Sequence, residues 1–396
     1  MKSDFLVIGA GIVGLSVAKS LSKKYPDSTI VVIEKEKETG MHASGRNSGV
    51  LHAGFYYSAD SLKARFTRDG NMLLKEFCRE HGLPLNECGK VVVANDEKEA
   101  DTILELHARG EKNGVETEII DPKSLSEIDP NIRTVRHALY SPSTATVDPK
   151  ALLKRLENEV IQKGVRIDLD TRYLYNIGKK HIYTDKREYS AGVVINCAGL
   201  HADKIAAQFG FGEKYVIIPF KGIYLKYTST DKPVKTNVYP VPNLKNPFLG
   251  VHYTVTVDGT IKIGPTAIPA FWRENYKGFT NFDPSDLSEI AYYESRLFLT
   301  NSFGFRTLAF EEFRKYSKKH LASLARNMLY EIDESGFDTW STPGIRAQLL
   351  NRETLELVQD FIVEGDENSV HILNAVSPAF TCAPAFSEWI VRNYIG

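Results

Sequence analysis

The sequence lacks the marks of several large protein classes. Its four cysteines, at 78, 88, 197 and 382, form no CxxC pair, so we expect buried structural thiols in a reducing compartment. No apolar run approaches 18 residues, and no signal-peptide pattern precedes the first predicted strand. Both absences predict a protein without a membrane span. These absences and the cysteine usage together predict a cytoplasmic protein. With 49 basic against 50 acidic side chains, we expect no nucleic-acid partner.

Several catalytic patterns are also missing. There is no P-loop, no nucleophile elbow and no internal repeat. His42, His52 and His252 have no cysteine or acid at zinc-ligand spacing, so no metal is expected. At 396 residues and 42% hydrophobic, the chain is long enough for two or three domains with a sizeable core.

The most informative feature that is present opens the chain. An apolar run (Phe5–Ile8) leads into a GxGxxG motif formed by Gly9, Gly11 and Gly14. An amphipathic helix (12–24), a second apolar run (Ile30–Ile33) and the acid Glu34 follow. Gly9 permits a tight turn, Gly11 lets a pyrophosphate approach the backbone, and Gly14 lets the helix pack on the strand. Glu34 can accept hydrogen bonds from ribose hydroxyls and would repel the 2′-phosphate of NADP. We place Lys35 in the same site; the motif alone leaves FAD and NAD open.

Later segments predict how the fold is completed. Ala198 and Gly199 lie at a second strand–glycine–helix junction, VVINCAGLHADKIAAQFG, and alternating strands follow from 216 to 263. A helical region (about 285–327), two strands (ELVQDFIVE and VHILN) and a last helix (379–394) complete the chain. We predict an α/β protein whose Rossmann-like FAD-binding domain, from 1–81, 142–215 and 338–396, is interleaved with an α+β substrate domain. That second domain, from 82–141 and 216–337, is built on an antiparallel sheet.

Four segments carry a family resemblance. VIGAGIVGLSVA, SGRNSGVLHAGFYY, INCAGLHAD and PGIRAQ resemble the D-amino-acid-oxidase-like FAD oxidoreductases. The segment GRNSGVLHAGFYY, together with NECGKVVVA, IPFKGIYL, PFLGVHYT and NAVSPA, is similar to the L-2-hydroxyglutarate oxidase/dehydrogenase family. This resemblance covers essentially the whole chain. The resemblance implies FAD, which we expect to be non-covalent, and oxidation of L-2-hydroxyglutarate to 2-oxoglutarate. A hydride would pass from substrate C2 to flavin N5, and electrons would continue to quinone or oxygen.

Such chemistry needs a base for the hydroxyl proton and cations for two carboxylates. His52, in a glycine-rich loop, and His252 are alternative bases, each with a structural hydrogen-bonding role as the competing interpretation. Arg346 of PGIRAQ matches the carboxylate-binding arginine of amine-oxidising relatives, and its guanidinium suits a planar carboxylate. Ala347 replaces the proline that usually follows it there.

The second carboxylate and the flavin require further contacts. Lys221 or Arg273 could supply the second cation, and Tyr239 and Tyr253 could donate hydrogen bonds; structural pairing and sheet packing are the alternatives. We expect Ser44, Arg46, Asn47, Ser48 and Gly49 to contact the cofactor. Ser377 and Pro378 precede the last helix, whose start at Ala379 would stabilise negative charge on the reduced flavin. An ordinary amphipathic helix would explain that segment equally well.

Two other functions stay open from sequence. One is an amine-oxidising member of the same superfamily, such as a glycine or sarcosine oxidase, and the other is a non-catalytic flavin-binding module. The basic stretch 310–327, with Phe310, Phe313, Leu321 and Leu324 on an apolar face, is either a solvated helix or a peripheral contact with the inner face of a membrane. Such a contact would let the reduced flavin reach quinone.

Overall fold

The computed structural model describes residues 1–242 and 250–396. Its strands are β1 Lys2–Ile8, β2 Ile30–Ile33, β3 Val50–Leu51, β4 Leu85–Asn86, β5 Lys90–Val93, β6 Glu118–Ile120, β7 Ala138–Ser141, β8 Ala145–Val147, β9 Arg166–Asp168, β10 Tyr173–Ile177, β11 His181–Thr184, β12 Glu188–Asn196, β13 Tyr215–Gly222, β14 Leu225–Tyr227, β15 Asn237–Pro240, β16 His252–Val255, β17 Ile261–Gly264, β18 Ile268–Pro269, β19 Phe337–Trp340, β20 Gly344–Asn351, β21 Ile362–Gly365 and β22 Ser369–Asn374. Its α-helices are α1 Ile12–Lys24, α2 Leu62–Glu80, α3 Glu97–Lys112, α4 Pro122–Ile128, α5 Pro149–Gln162, α6 Ala202–Gln208, α7 Pro284–Thr300, α8 Phe305–Arg314, α9 Lys318–Arg326 and α10 Ala379–Tyr394. Among the described residues, no helix combines the length and the apolar character that crossing a membrane requires.

The first large sheet is the Rossmann-like layer. Its strands β9, β2, β1, β12 and β22 are neighbours in that order and parallel. The apolar runs of β1 and β2 are buried, as expected when helices cover both faces of a parallel sheet. Helices α1, α2, α5 and α10 contribute to one core cluster with these strands. The carboxyl ends of the parallel strands meet at one edge, the usual ligand edge of such sheets.

The second large sheet has the order β19-β14-β17-β16-β15-β5-β7-β6. It is antiparallel as predicted, except that β5 and β15 run parallel with Lys90 opposite Asn237. A small sheet, β18-β13-β20, accompanies it. The predicted run IIPFKGIYLKYT is divided between the two sheets, because the amides of Ile223 and Tyr224 bond to the hydroxyls of Thr266 and Ser341 instead of continuing a ladder.

Two local predictions need correction, and a third lies partly outside the described residues. The helical region 285–327 is broken twice: Asn301, Phe303 and Gly304 have left-handed backbone angles between α7 and α8, and residues 315–317 separate α8 from α9. Within ELVQDFIVE only the end is a strand, since the carboxylate of Asp360 accepts hydrogen bonds from the first amides of α2. The start of FLGVHYTVT, at 248–249, lies outside the described residues, and its remainder forms β16.

The predicted domain division stays an interpretation of this fold. Strands of the first sheet come from 2–33, 166–196 and 362–374, and those of the second from 90–141, 225–264 and 337–340. The boundary placed at 337/338 therefore falls inside β19, whose partner β14 belongs to the second sheet.

Candidate active site

A cleft of about 440 Å³ lies where the two halves of the fold meet. Its wall takes residues from the carboxyl edge of the parallel sheet and from the second sheet. The predicted cofactor residues in this wall are Gly9, Gly11, Glu34, Lys35, Ser44, Arg46, Asn47, Ser48, Ala198, Gly199, Ser377, Pro378 and Ala379. The predicted chemical residues in it are His52, Tyr239, His252 and Arg346.

The glycine turn leaves no room for side chains. Gly9 has a φ of +101°, and a Cβ there would lie 2.6 Å from the carbonyl oxygen of Cys197. A Cβ on Gly14 would lie 1.9 Å from the carbonyl oxygen of Gly9, and one on Gly11 would lie 2.9 Å from Oγ of Ser44. Gly14 thus lets α1 pack against the turn, as predicted for this motif. The result is a backbone cradle at the N-terminus of α1, suited to a pyrophosphate.

Glu34 is buried just after β2, and its carboxylate accepts hydrogen bonds from two backbone amides. Its Oε2 accepts a hydrogen bond from the amide of Ala10 at 2.7 Å, and Oε1 accepts one from the amide of Glu36 at 3.0 Å. These bonds fix the carboxylate in the wall of the cleft, where its remaining acceptor capacity can face ribose hydroxyls.

Lys35 is shared between two acids. Its Nζ lies 2.5 Å from Oε1 of Glu36 and 2.7 Å from Oε1 of Glu274. His42 lies 3.0 Å from Glu36 as well, and its hydrogen bond, with Lys35, lowers the pKa of Glu36 to about 2. Ligand atoms of Glu36, His42 and Glu274 lie within 4.8 Å of one another, and the Lys35 ammonium lies between the two carboxylates.

The loop from Ser44 to Gly49 is held by its own side chains. Ser44 Oγ accepts the amide of Ile12 at 2.9 Å. Arg46 donates to the carbonyl of Met41 and stacks over the ring of Tyr276, and Asn47 donates to the carbonyl of Ser44 and accepts from the amide of Gly49. Arg46 and Asn47 therefore shape the loop, and Gly49 itself lies behind the wall, where a Cβ would approach the carbonyl oxygen of Val147.

The start of α10 also reaches the cleft. No side chain caps its first amides, and Thr381 in its first turn accepts a hydrogen bond from the amide of His52 at 3.2 Å. The positive end of this helix is thus tied to the histidine loop and is placed to favour negative charge in the cleft.

The chemical end of the cleft is basic and largely without acids. Among the described lining residues, only Glu34 and Glu274 are acidic, and both belong to the nucleotide end. Burial is the main cause that lowers the pKa of His52, and burial lowers that of His252 to about 3; the positive charge of Arg346 adds to both shifts. Both imidazoles are therefore neutral, with Arg346 close enough to influence them.

The structure corrects three predicted substrate ligands. Arg273 is fully buried and bonds to Asp203, Asp286 and Glu289, so its charge is neutralised outside the cleft. Lys221 lies outside the lining, with its Nζ 3.2 Å from Oδ1 of Asn275. Tyr253 alternates with His252 along β16 and so faces the opposite side, in the core with Phe337.

Sequence reasoning missed residues of both ends. Residues 171–174 line the cleft because they follow β9, which pairs in parallel with β2. Recognising β9 as a parallel neighbour of β2 would have predicted that these residues lie at the ligand edge of the sheet. Tyr224 lines the other end and was hidden within an apparent strand. Lys90 lies just behind His52, with its Nζ 3.5 Å from Nδ1 of that ring, and its only signal was a charge inside an apolar run.

The fold and this cleft together define a class, the dinucleotide-dependent oxidoreductases with a Rossmann-like cofactor domain. The chain belongs to the FAD dependent oxidoreductase family, which it matches from residue 4 to residue 393. Its predicted fold class is confirmed by that match and by the L-alpha-glycerophosphate oxidase of Mycoplasma pneumoniae, which has a TM-score of 0.75 at 22% identity, with 99% of this chain and 94% of that chain covered.

Relatives at higher identity share one name. The L-2-hydroxyglutarate dehydrogenase of Indibacter alkaliphilus is 34% identical, with 100% of both chains covered. That of Escherichia coli strain K12 is 33% identical over 98% of this chain and 92% of its own length. The mitochondrial enzyme of Nematostella vectensis is 35% identical over 98% and 89%. The family resemblance predicted from sequence is confirmed: this protein is an FAD-dependent enzyme.

The residues present fit FAD. The glycine cradle would be filled by any Cβ, and Glu34 lines the cleft at the end of β2, the position that the motif predicts for contact with a ribose. At the other end, Arg346 of the small sheet and His252 of the second sheet line the cleft. NAD, which the motif alone left open, is set aside by the family.

Proposed function

We propose that this enzyme oxidises L-2-hydroxyglutarate to 2-oxoglutarate. The observation that carries the proposal is the chemical end of the cleft, where the Arg346 guanidinium lies near two buried histidines whose pKa values are lowered by burial. The names of relatives that cover the whole chain support the same substrate.

The proposal assigns roles to Arg346, the two cleft histidines and Tyr239. Arg346 binds a substrate carboxylate through its guanidinium. One of the two histidines accepts the proton of the substrate hydroxyl, which a neutral imidazole can do. Bound FAD supplies, at its N5 atom, the acceptor for a hydride from substrate C2. Tyr239, whose ring stacks on His252 at 3.7 Å, holds that histidine in place.

Anaerobic flavin reduction tests the proposal. L-2-hydroxyglutarate, its D-isomer, glycine and sarcosine are added separately to the holoenzyme, and the absorbance of oxidised flavin is followed. We expect bleaching by the L-hydroxy acid alone. Bleaching by glycine or sarcosine alone would instead favour an amine oxidase, and stable absorbance with all four would refute the substrate.

We further propose that the flavin is held without a covalent bond. Cys197 is a lining thiol, and burial raises its pKa well above the usual range, which keeps it un-ionised and a weak nucleophile. Acid precipitation should therefore release all flavin into the supernatant. Flavin that stays with the pellet would contradict this.

The electron acceptor is quinone or oxygen, and a peripheral membrane contact would favour quinone. The predicted helix 310–327 is two helices, and Leu321 packs in the core. Phe310 and Phe313 are exposed, however, and Leu299 and Phe303 add to an apolar surface beside the basic Arg314, Lys318 and Lys319. Such a combination suits an anionic membrane surface.

A flotation assay tests the contact. The holoenzyme should float with anionic vesicles at low salt, and Phe303→Ser with Phe310→Ser should abolish flotation. Ile177→Ser, which changes an exposed apolar side chain on β10, serves as the matched control. If the wild type stays at the bottom of the gradient, the membrane contact is wrong while the substrate proposal is unaffected.

A further inference from the structure

The two cleft histidines present different nitrogen atoms. Nδ1 of His252 lies 2.8 Å from the carbonyl oxygen of Gly250. A carbonyl oxygen can only accept, so Nδ1 carries the proton, and the neutral ring keeps a lone pair on Nε2. Since Tyr239 stacks on this ring at an angle of 15°, its orientation is fixed as well. His252 is built as a hydrogen-bond acceptor toward the cleft.

His52 has the opposite environment. Its Nδ1 faces the Nζ of Lys90 at 3.5 Å. A lysine ammonium has three donors and no acceptor, so a charged Lys90 donates to Nδ1. The neutral His52 ring must then carry its proton on Nε2, on the opposite edge, and is a donor.

Lys90 itself is enclosed by aromatic rings. It is fully buried on β5, and its Nζ lies 4.3, 5.0 and 5.4 Å from the ring centroids of Tyr239, Tyr56 and Phe55. The ring faces favour a cation, whereas burial alone lowers the pKa of Lys90 to about 7. No acid contributes to that shift, so a dicarboxylate entering the cleft supplies the negative charge that favours the ammonium form.

We propose that Lys90 is a positioning residue that keeps His52 in the Nε2–H form, so that His52 donates a hydrogen bond to the substrate while Nε2 of His252 accepts the hydroxyl proton. This rests on the proposed function and assigns the base that the sequence left open. The O–H bond breaks, its electron pair completes the carbonyl of 2-oxoglutarate, and its proton goes to His252. Bound FAD would supply the acceptor for the C2 hydride and its two electrons.

Glutamine variants separate the two roles, because the side-chain amide of glutamine can donate near the Nε2 position but cannot take up a proton. We expect His252→Gln to slow flavin reduction at saturating L-2-hydroxyglutarate by about 10²–10⁴-fold, the usual contribution of a general base. His52→Gln should slow it by less than about tenfold, since a single donor is retained. The reverse ranking would overturn the assignment.

A spectroscopic test does not depend on turnover. With ¹⁵N-labelled histidine in the oxidised holoenzyme and 2-oxoglutarate bound, nitrogen–carbon-bound-proton correlations identify the tautomer of each ring, and the two glutamine variants assign the signals. We expect His52 protonated at Nε2 and His252 at Nδ1. If both rings of the wild-type protein have the same tautomer, the proposal is refuted.

Lys90→Met then tests the cause. Methionine keeps an unbranched side chain among the aromatic rings but removes the donor. We expect the His52 signals to lose their Nε2–H pattern and those of His252 to stay unchanged, with a lower rate of flavin reduction. Unchanged His52 signals would show that Lys90 does not position it. If L-2-hydroxyglutarate does not reduce the wild-type flavin, the proposed substrate is wrong. The tautomers of His52 and His252 are tested independently, by the NMR signals alone.

Discussion

At the residue scale, Arg346 is the cation that we propose for binding a substrate carboxylate. It lies on β20, opposite Phe220 of β13, and two paired strands hold its backbone. A planar guanidinium can bond both oxygens of a carboxylate at once, whereas a lysine ammonium is a point charge on a flexible stem. The geometry, more than the charge, is therefore expected to matter.

Arg346→Lys should retain FAD but weaken substrate binding by about 2–5 kcal/mol, the cost of disrupting a desolvated, hydrogen-bonded charge pair. Steady-state KM and a flavin-absorbance titration with 2-oxoglutarate measure this loss. Arg352→Lys is the matched control, since Arg352 follows the same strand and pairs with Glu289 at 3.9 Å at the surface. Unchanged kinetics in Arg346→Lys would remove Arg346 from the substrate site.

Lys90 provides a second prediction at this scale, on stability. Its pKa is lowered in the folded protein to about 7 from the model-peptide value of 10.5, so between these values the unfolded chain binds more protons and stability rises with pH. Below pH 7 the penalty is complete. Lys90→Met should therefore raise the free energy of unfolding at pH 6 by about 1–4 kcal/mol, as when buried ionic groups are replaced by apolar ones. Its advantage should shrink as the pH rises toward 10.5.

Denaturant unfolding of the apoprotein at pH 6 and pH 9.5 measures both quantities. Lys98→Met, which removes a lysine from the exposed face of α3, is the control and should change little at either pH. A Lys90→Met variant less stable than wild type at pH 6 would mean that the aromatic rings stabilise the ammonium more than burial penalises it.

At the element scale, the strand–turn–helix unit of β1, α1 and β2 is the part of the fold that we propose binds the pyrophosphate and ribose of the cofactor. Gly14→Ala places a Cβ 1.9 Å from the carbonyl oxygen of Gly9, so α1 must move away from the turn. We expect a loss of about 1–3 kcal/mol of stability from this overpacking and a clear fall in FAD affinity. Thermal unfolding and flavin-fluorescence titration of the apoprotein check both. Lys23→Ala on the exposed side of α1 should change neither, and normal FAD affinity in Gly14→Ala would contradict the close packing.

The same unit shows why parts of the fold could be predicted. Local patterns of a few residues predicted the glycine turn at Gly9, Gly11 and Gly14 and the last helix at Ala379–Tyr394. Distant contacts decided what failed. Asp360 shortened a predicted strand by capping α2, and Arg273 looked like a substrate cation until three acids from other elements were placed around it.

The candidate site follows the same rule. His52, His252 and Arg346 could be found because their motifs carry them, and each lines the cleft. Lys90 could not be predicted as a site residue, because a lysine beside valines on a strand is typical of a charged residue at a sheet edge. Only the parallel pairing of β5 with β15 brings it behind the histidine loop, and pairing between strands almost 150 residues apart leaves no local pattern.

At the scale of the whole molecule, the Arg273 cluster links α6 to α7, whose Tyr293 and Leu297 pack with residues of β13 and β20 in the small sheet. Asp203 lies on α6, next to the first sheet, while Asp286 and Glu289 lie on α7. Arg273 donates to Asp203 through both terminal nitrogens, at 2.7 and 2.9 Å, and to Asp286 and Glu289 at 3.1 Å each. Asp203 and Asp286 are the two more buried carboxylates of the cluster, whereas Glu289 also pairs with Lys204 at 2.7 Å.

Arg273→Met should therefore lower the free energy of unfolding by about 3–5 kcal/mol, because it leaves buried carboxylates without their partner. Lys23→Met, which breaks the exposed pair with Glu388, should cost less than about 1 kcal/mol. Denaturant unfolding of both apoproteins gives the comparison, and KM for L-2-hydroxyglutarate in the folded Arg273→Met holoenzyme gives a second readout. We expect that KM to stay close to wild type, since Arg273 does not line the cleft. A stable variant with a greatly raised KM would restore Arg273 as a substrate ligand and would mean that the cluster opens when substrate binds.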